Sequence, residues 1–179
     1  MPEQGKNSLV HKLYKNTMKS RWWNVVVLYM EHKDSAIMAK INTSGETALH
    51  VAISIASRNV VERLVHVITG LLNTDLRMIK DNAGNNPLHV AASTGRFGIC
   101  VLLAKVDKSL GGFANNAGES PLFLAAFHGH KPVFQCLYAL CYPRNIGHDK
   151  ICLPFFRRKD GETVLHCAIR WEYFGEHIC

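Results

Sequence analysis

The stretch Gly45-Glu-Thr-Ala-Leu-His-Val-Ala52 occurs, with small changes, three more times along this chain of 179 residues. A short phrase that recurs every few tens of residues indicates stacked units, because one such unit is too small to bury a core of its own. The sequence therefore predicts a repeat fold, whose extended surface is typical of a binding scaffold. The other copies are Gly84-Asn-Asn-Pro-Leu-His-Val-Ala91, Gly118-Glu-Ser-Pro-Leu-Phe-Leu-Ala125 and Gly161-Glu-Thr-Val-Leu-His-Cys-Ala168.

The repeated phrase resembles the T-P-L-H-x-A signature of ankyrin repeats, which have a period of about 33 residues. This resemblance implies an all-α fold, an ankyrin-repeat solenoid of stacked helix-turn-helix units with turn fingers. The intervals between the phrases are uneven, and the additional residues fall around 70–77 and 142–156. The second of these segments contains two prolines and a glycine, which predicts a long projecting loop.

The spacing of the phrases predicts an order of units along the chain. We expect a disordered N terminus at 1–7, a degenerate capping repeat at 8–41 and ankyrin repeats at 42–80 and 81–114. A repeat with a long inserted loop follows at 115–157, and an incomplete repeat occupies 158–179. Its remaining residues are too few for a capped second helix, so we expect a truncated chain or one that continues into further repeats.

Glycine and leucine have fixed tasks in the phrase. Glycine adopts a positive φ without steric cost, which predicts a tight turn at Gly45, Gly84, Gly118 and Gly161. The apolar position of the first helix is expected to point into the core at Leu49, Leu88, Leu122 and Leu165.

The start of each first helix is also marked in the sequence. A hydroxyl side chain at a helix start accepts an otherwise unpaired N–H group, which predicts N-caps at Thr47, Ser120 and Thr163. Proline is tolerated at the first helical position, because its missing N–H has no partner there. Pro87 and Pro121 are predicted to occupy that position.

Three histidines of the phrase, His50, His89 and His166, suggest catalysis or metal binding at first sight. Because they recur at one repeat position, their rings would be spread along the stack rather than converge on one site. The ankyrin resemblance implies instead that each ring bonds to the backbone of a turn. We therefore assign them a structural role.

Enzymatic and metal-dependent functions have little support elsewhere in the sequence. The chain has neither a phosphate-binding G-x-x-x-x-G-K-[ST] loop nor an H-E-x-x-H motif. The best metal candidate, His128, His130, His148 and Cys152, has a spacing that matches no recognised site. We predict no enzyme activity, no catalytic residues, no cofactor and no metal.

The net charge of +7 is concentrated in part near the N terminus, where residues 1–41 carry seven basic and three acidic residues, a net +4. A second small cluster is Arg157-Arg158-Lys159. No basic stripe follows one face, so ordinary surface charge is the preferred explanation and a nucleic-acid partner is not expected. Residues 8–30 are predicted to form a capping helix pair with a lysine-rich exterior; the alternative is a basic amphipathic helix on a membrane surface.

The cysteines and the apolar runs indicate a cellular compartment. No C-x-x-C pair is present, and Cys100, Cys136 and Cys167 fall at apolar repeat positions, which is typical of buried, reduced thiols. No apolar run approaches the roughly 18 residues needed to cross a bilayer, and the first residues lack a signal-peptide core. We therefore expect a cytoplasmic location.

Three segments resemble one particular group, the plant ankyrin proteins of the PGG-domain type, including the accelerated-cell-death and salt-tolerance ankyrin proteins. They are Leu13-Tyr14-Lys15 with Met18-Lys19-Ser20-Arg21-Trp22, Pro121-Leu-Phe-Leu-Ala-Ala-Phe-His-Gly129 and Asp160-Gly-Glu-Thr-Val-Leu-His-Cys-Ala-Ile169. The resemblance implies a role in defence or stress signalling. It also implies a C-terminal membrane region absent from this sequence, which would place the repeats on the cytosolic face of a membrane.

A protein partner is expected at the turn tips and along the exposed edge of the first helices, the concave surface of a solenoid. Phe127 and Trp171 lie where no core residue is required, so they resemble interface hot spots; the alternative is packing against the adjacent helix or an inserted loop. Two functional classes remain open: the interaction module of a membrane-associated signalling protein, and a soluble adaptor or nuclear regulator. The predicted contact residues are Thr43, Ser44, Glu46, Ser54, Ile55, Asn82, Ala83, Asn85, Ser93, Thr94, Asn116, Ala117, Glu119, Phe127, His128, Lys159, Asp160, Glu162, Arg170 and Trp171.

Overall fold

The fold was analysed in a computed structural model that describes residues 8–141 and 156–170. These residues form helices and turns without a β-strand, which confirms the predicted all-α fold. The chain divides into two compact units, Met1–Pro87 and Leu88–Cys179. The repeat boundaries given above stay a prediction.

The first unit contains five α-helices among its described residues. After the second helix of the 42–80 repeat, the chain continues as a π-helical turn at Val67–Leu71 and a 3-10 turn at Leu76–Met78, so the additional residues predicted around 70–77 are helical at both ends and irregular between them. The α-helices are α1 (Leu9–Met18), α2 (Trp22–His32), α3 (Asp34–Ile37), α4 (Ala48–Ile55) and α5 (Arg58–His66).

The second unit contains the remaining helices, the first of which begins at the unit boundary. A 3-10 turn, Lys108–Gly112, follows the second of them. Residues 142–155, which hold most of the predicted projecting loop, lie outside the described residues, as do 1–7 and 171–179. The helices are α6 (Pro87–Ser93), α7 (Phe97–Val106), α8 (Pro121–Phe127), α9 (Lys131–Cys141) and α10 (Val164–Arg170).

The predicted turns and caps are present. The four phrase glycines have φ values of +71° to +95°, in the left-handed region that favours glycine. Ser120 caps α8 by accepting a hydrogen bond of 3.0 Å from the backbone N–H of Phe123, and Pro121 takes the first helical position. Ala56, which stands where later units have glycine, is extended at φ −83° and ψ 164°, so the break between α4 and α5 is built without a left-handed residue.

Three of the four phrase leucines are fully buried, as predicted: Leu49, Leu88 and Leu122. The prediction was wrong for Leu165, whose side chain is 59% exposed. In the second unit α10 packs against α8 through Cys167 and Val164, which are three residues apart and therefore share a face of the helix. Leu165 lies on a different face of α10, where the described residues offer it no cover.

The third copy of the phrase uses a different contact from the others, because Phe123 stands where the other copies have histidine. Phe123 is fully buried in a cluster with Ala126 and Cys167, against which Phe127, Phe134 and Val164 also pack. Apolar packing therefore joins α8 to α10 at the repeat position where, in other repeats, a histidine forms a hydrogen bond to the neighbouring repeat.

The N-terminal helix pair agrees with the prediction on its inner side and on the outer side of α1, where the lysines are exposed. Val25, Val26 and Tyr29 are buried on α2, as expected, whereas the outer side of that helix is not lysine-rich. It presents Trp23 and Met30 to solvent instead. The prediction of a lysine-rich exterior is thus wrong for α2, because the sequence has apolar residues on two opposite faces of this helix.

Candidate protein-interaction surface

The base of each finger turn is closed by the main chain. The N–H of each phrase glycine donates to the carbonyl three residues earlier, at 3.0 to 3.2 Å. In three of the turns a second main-chain hydrogen bond joins two residues that are four positions apart. One of these bonds runs from the Asn115 N–H to the Glu119 carbonyl at 2.9 Å. The fingers are therefore rigid at their base and can present their tips at fixed positions.

The residue directly after each glycine was predicted to contact a partner, but its side chain is engaged within the turn. The Asn42 amide donates to Glu46 at 2.6 Å, and the Asn115 amide donates to Glu119 at 2.8 Å. The same closure joins Asn85 to Asp81 and Glu162 to Arg158. The sequence signal for this structural role is the polar pair, spaced four residues apart, that brackets every phrase glycine.

In the first unit, Asn82 joins two neighbouring fingers. Its N–H donates to the Ser44 carbonyl and its side-chain amide donates to the Thr43 carbonyl, both at 3.1 Å. Lys40 donates to the Asn82 side-chain oxygen at 2.7 Å. The carbonyls of Thr43 and Ser44 are thus used inside the unit, while their side chains are exposed and remain candidates for contact with a partner.

Lys159 makes the equivalent connection in the second unit. Its N–H donates to the Ala117 carbonyl at 3.2 Å, and its ammonium group donates to the Asn116 carbonyl at 2.6 Å. The neighbouring Arg158 pairs with Glu119 at 3.2 Å. These internal contacts account for two of the three residues in the basic cluster at 157–159.

The structural role assigned to the phrase histidines is confirmed by their hydrogen bonds. His50 accepts the Thr47 N–H on Nδ1 at 3.2 Å and donates from Nε2 to the Asn85 carbonyl at 3.1 Å. His89 donates from Nε2 to the Glu119 carbonyl at 3.0 Å. His166 accepts the N–H of Thr163 at 3.1 Å.

His50 is fully buried, and this burial lowers the pKa of its imidazole below its usual value. We expect the contribution of His50 to the free energy of unfolding to be constant above about pH 6.5, because its ring is then neutral in both the folded and the unfolded chain. It should fall below that pH, because the unfolded chain then binds a proton that the folded chain does not, and level off below the folded-state pKa. Urea unfolding at several pH values measures this slope.

The matched variants for this pH experiment are His50→Gln and His66→Gln. His66 is an exposed histidine on α5 of the same unit, so this variant makes the same substitution outside the core. His50→Gln removes the buried titrating ring and should flatten the slope below about pH 6.5. Equal slopes in the wild type and His50→Gln would contradict the assignment.

Phe127, His128 and Arg170 form a surface that we call the α8–α10 patch. The guanidinium of Arg170 lies 5.3 Å from the centre of the Phe127 ring, and His128 meets that ring edge-on at 5.2 Å. Phe127 is also stacked with Phe123, with ring centres 6.1 Å apart. Phe127 is therefore half-buried and packs against its own unit, which favours the packing alternative for this residue; Trp171 lies outside the described residues.

Charge in the α8–α10 patch is only partly compensated. Arg170 donates to Glu162 at 2.6 Å, but half of its side chain is exposed. Burial is the larger cause that lowers the pKa of His128, and the nearby His130 lowers it further. The Arg170 guanidinium is therefore the permanent cation of this patch. A carboxylate from a partner could reach it without first breaking a buried ion pair.

The best metal candidate of the sequence, which we did not expect to bind a metal, is not assembled by the residues that the structure describes. His128 and His130 lie with ring centres 6.3 Å apart, and His130 donates to the Ser93 carbonyl at 3.0 Å. The other two members, His148 and Cys152, fall outside the described residues. Within 8–141 and 156–170, no three His, Cys, Asp or Glu side chains are placed to hold a metal ion.

The described cysteines are free thiols, and two of them are buried, Cys100 and Cys167. Burial raises the pKa of Cys100 to about 12 and that of Cys141 to about 11. Both thiols are therefore protonated and poorly nucleophilic near neutral pH. Cys136, predicted to be buried, is half-exposed.

Comparison with known proteins identifies the repeat type. Residues 4–111 and 65–150 match the family model described as ankyrin repeats in three copies. Alpha-latrotoxin-Lh1a from Latrodectus hasselti is 32% identical over 145 residues, which is 81% of this chain and 10% of the toxin. Alpha-latrotoxin-Lg1a from Latrodectus geometricus is 31% identical over 84% of this chain and 10% of the toxin. The chain thus spans about a tenth of the length of these curated relatives.

A membrane-spanning helix must be both long and apolar. None of the helices formed by the described residues meets both requirements.

Proposed function

We propose that this chain is a protein-interaction module, and the premise is that it belongs to the ankyrin-repeat family. Repeats of this kind bury their core between neighbouring units and leave extended surfaces for recognition. Under this proposal the exposed tips of the fingers and the edge of the first helices contact the partner.

The observation that carries the proposal is the α8–α10 patch. It combines a half-buried aromatic ring with a half-exposed guanidinium, and both are held in place by packing and by the ion pair of Arg170 with Glu162. Arginine and aromatic residues are the types enriched at binding hot spots, and pre-ordered side chains lose little entropy on binding. A partner segment with an acidic side chain beside an apolar one would fit this chemistry.

We expect Arg170→Ala to weaken partner binding by about tenfold or more, because an interfacial charge pair contributes on the order of 1.5 kcal/mol or more. Its effect on stability should stay within about 1 kcal/mol, because exposed ion pairs contribute little. Proximity labelling followed by quantitative pull-down, with thermal unfolding of the same variants, measures both quantities.

The matched control for Arg170→Ala is Lys105→Ala. It removes an exposed cation from α7, the second helix of its pair, which is not part of the patch. The proposal predicts that Lys105→Ala retains the captured proteins that Arg170→Ala loses. Equal retention by the two variants would refute the α8–α10 patch as the binding surface.

Phe127→Ala is a less specific probe than the sequence suggested, because the ring also packs against Phe123. We expect this variant to lose stability as well as binding. For Trp171→Ala, at the second residue that resembles a hot spot in the sequence, we expect a loss of binding larger than the loss of stability. The combined Phe127/Trp171 variant should bind most weakly in the pull-down.

The second candidate function is a module of a membrane-associated plant stress or defence signalling protein, on the cytosolic face of the membrane. The resemblance of residues 13–22, 121–129 and 160–169 to PGG-domain proteins supports it. Carbonate extraction of membranes from the native source tests it: the native protein should resist extraction. Complete release into the soluble fraction would favour a soluble cytoplasmic adaptor, and nuclear recovery would favour a nuclear regulator.

A further inference from the structure

Helix α2 carries an apolar row on the face opposite to its buried face. Trp23, Val27 and Met30 are spaced i, i+4 and i+7, so they lie on one side of the helix. Their side chains are exposed, with Trp23 at 65% and Met30 at 47%. The opposite face of α2 is buried within the first unit, and its buried residues are Val25, Val26, Leu28 and Tyr29.

The neighbouring helix α1 has an exposed apolar row of its own, formed by Val10, Tyr14 and Met18 at i, i+4 and i+8. A single exposed apolar residue needs no explanation, but a row repeated on two packed helices is uncommon on the surface of a soluble protein. We call the two rows together the α1–α2 apolar face.

The charge around this face is uncompensated and positive. Residues 8–30 contain four lysines and arginines and no aspartate or glutamate. The cations are Lys12, Lys15, Lys19 and Arg21, and within the part of the chain that the structure describes none of them forms an ion pair. Acidic residues appear only at the other end of α2, at Glu31 and Asp34.

We propose that the α1–α2 apolar face is a docking site for an acidic amphipathic α-helix of a partner protein. Apolar side chains on one face of such a helix have the same i, i+4, i+7 spacing as the row on α2, so the two rows can interdigitate. Acidic side chains on the docked helix would pair with Lys19 and Arg21, which lie just before the first residue of the α2 row. This pairing would fix the direction of the docked helix.

The charge distribution argues against the other occupants. Two copies of this chain would leave excess positive charge across the interface even with their α2 helices antiparallel, because each contributes four cations and only two acidic residues. A planar anionic membrane would attract the end near Lys19 and Arg21 but gain nothing at the other end, where residues 31–34 hold two acids and one lysine. A helix can place its acidic residues at one end only, and therefore matches the whole row.

The experiment uses a labelled amphipathic peptide of about 18 residues, with leucine along one face and glutamate on the flanks, and a second peptide with lysine in place of glutamate. Fluorescence anisotropy with the full chain measures binding. We expect the glutamate peptide to bind at least about tenfold more tightly than the lysine peptide, and its affinity to fall as salt is raised.

Two independent variants test which residues form the site. Trp23→Ser with Met30→Ser removes the apolar row, and Lys19→Glu with Arg21→Glu reverses the charge at its start. Each double variant should weaken binding of the glutamate peptide by about tenfold or more. The control is Met78→Ser, which removes an exposed methionine, 67% accessible, from the 3-10 turn of the same unit and should leave binding unchanged.

Several outcomes would overturn the proposal. They are equal affinity for the two peptides, failure of the glutamate peptide to bind, or unchanged binding in either double variant. Sedimentation with vesicles of phosphatidylcholine and about 30% phosphatidylserine tests the membrane alternative. Vesicle binding that the Trp23/Met30 variant abolishes, without peptide binding, would assign the face to a membrane. Self-association of the chain abolished by the same variant would assign it to a second copy.

Discussion

Phe123→Ala is expected to lower the free energy of unfolding of the second unit by about 3–5 kcal/mol. Phe123 is fully buried, and its ring fills the space between α8 and α10 together with Ala126 and Cys167. Truncation removes the apolar surface of the ring and leaves a cavity that the two helices cannot close without losing their contact. The stacked ring of Phe127 loses its partner at the same time.

The control for this variant is Phe97→Ala, which removes the same side chain from α7 of the same unit. Phe97 is 48% exposed, so its loss should cost no more than about 1 kcal/mol. Chemical unfolding followed by circular dichroism compares the two. Similar losses in the two variants would contradict the role of Phe123 as the residue that joins α8 to α10.

Gly45→Ala is expected to destabilise the first unit by about 2–3 kcal/mol, from two causes. The residue has φ +71°, which costs an L-residue about 1–2 kcal/mol. A Cβ at this position would also overlap the side chain of Asn82. Asn82 would have to move, and its hydrogen bonds with Thr43 and Lys40 would weaken, at about 0.5 kcal/mol each.

Gly70→Ala is the control for Gly45→Ala. Gly70 lies in the π-helical turn without a positive φ, and its nearest neighbours are ring atoms of the exposed His66 at 3.2 Å. We therefore expect a change within about 0.5 kcal/mol. A double-mutant cycle separates the two causes at Gly45: in an Asn82→Ala background the overlap disappears, and only the backbone cost should remain. An unchanged cost of Gly45→Ala in that background would contradict the overlap with Asn82.

The repeated phrase was sufficient to predict the features that depend on local geometry. Positive φ at Gly45, the Ser120 cap and the proline at the start of α8 follow from the steric and hydrogen-bonding properties of those residue types. The histidine contacts were also predictable, because the ankyrin resemblance implies the same bond at each repeat. None of these features requires knowledge of which helix faces which.

The division of residues between structure and recognition was harder to predict. Glu46 and Glu162 were assigned to partner contact because they flank a turn tip, yet each pairs with a residue four positions earlier. Phe127 was assigned as a hot spot because its repeat position needs no core residue. The aromatic residue at Phe123 gives it a packing partner, and that substitution in the phrase was visible in the sequence but was not used.

Local sequence is enough to establish this protein as an all-α ankyrin-repeat chain, since turns, caps and helix periodicity arise from interactions within a few residues. The exposure of Leu165 and of Trp23 could not be derived in that way. Each lies in a well-formed helix whose sequence suits burial, and only the arrangement of neighbouring helices leaves those faces uncovered. Burial is a property of what lies opposite a side chain, so the surfaces available to partners emerge only when the helices are packed together.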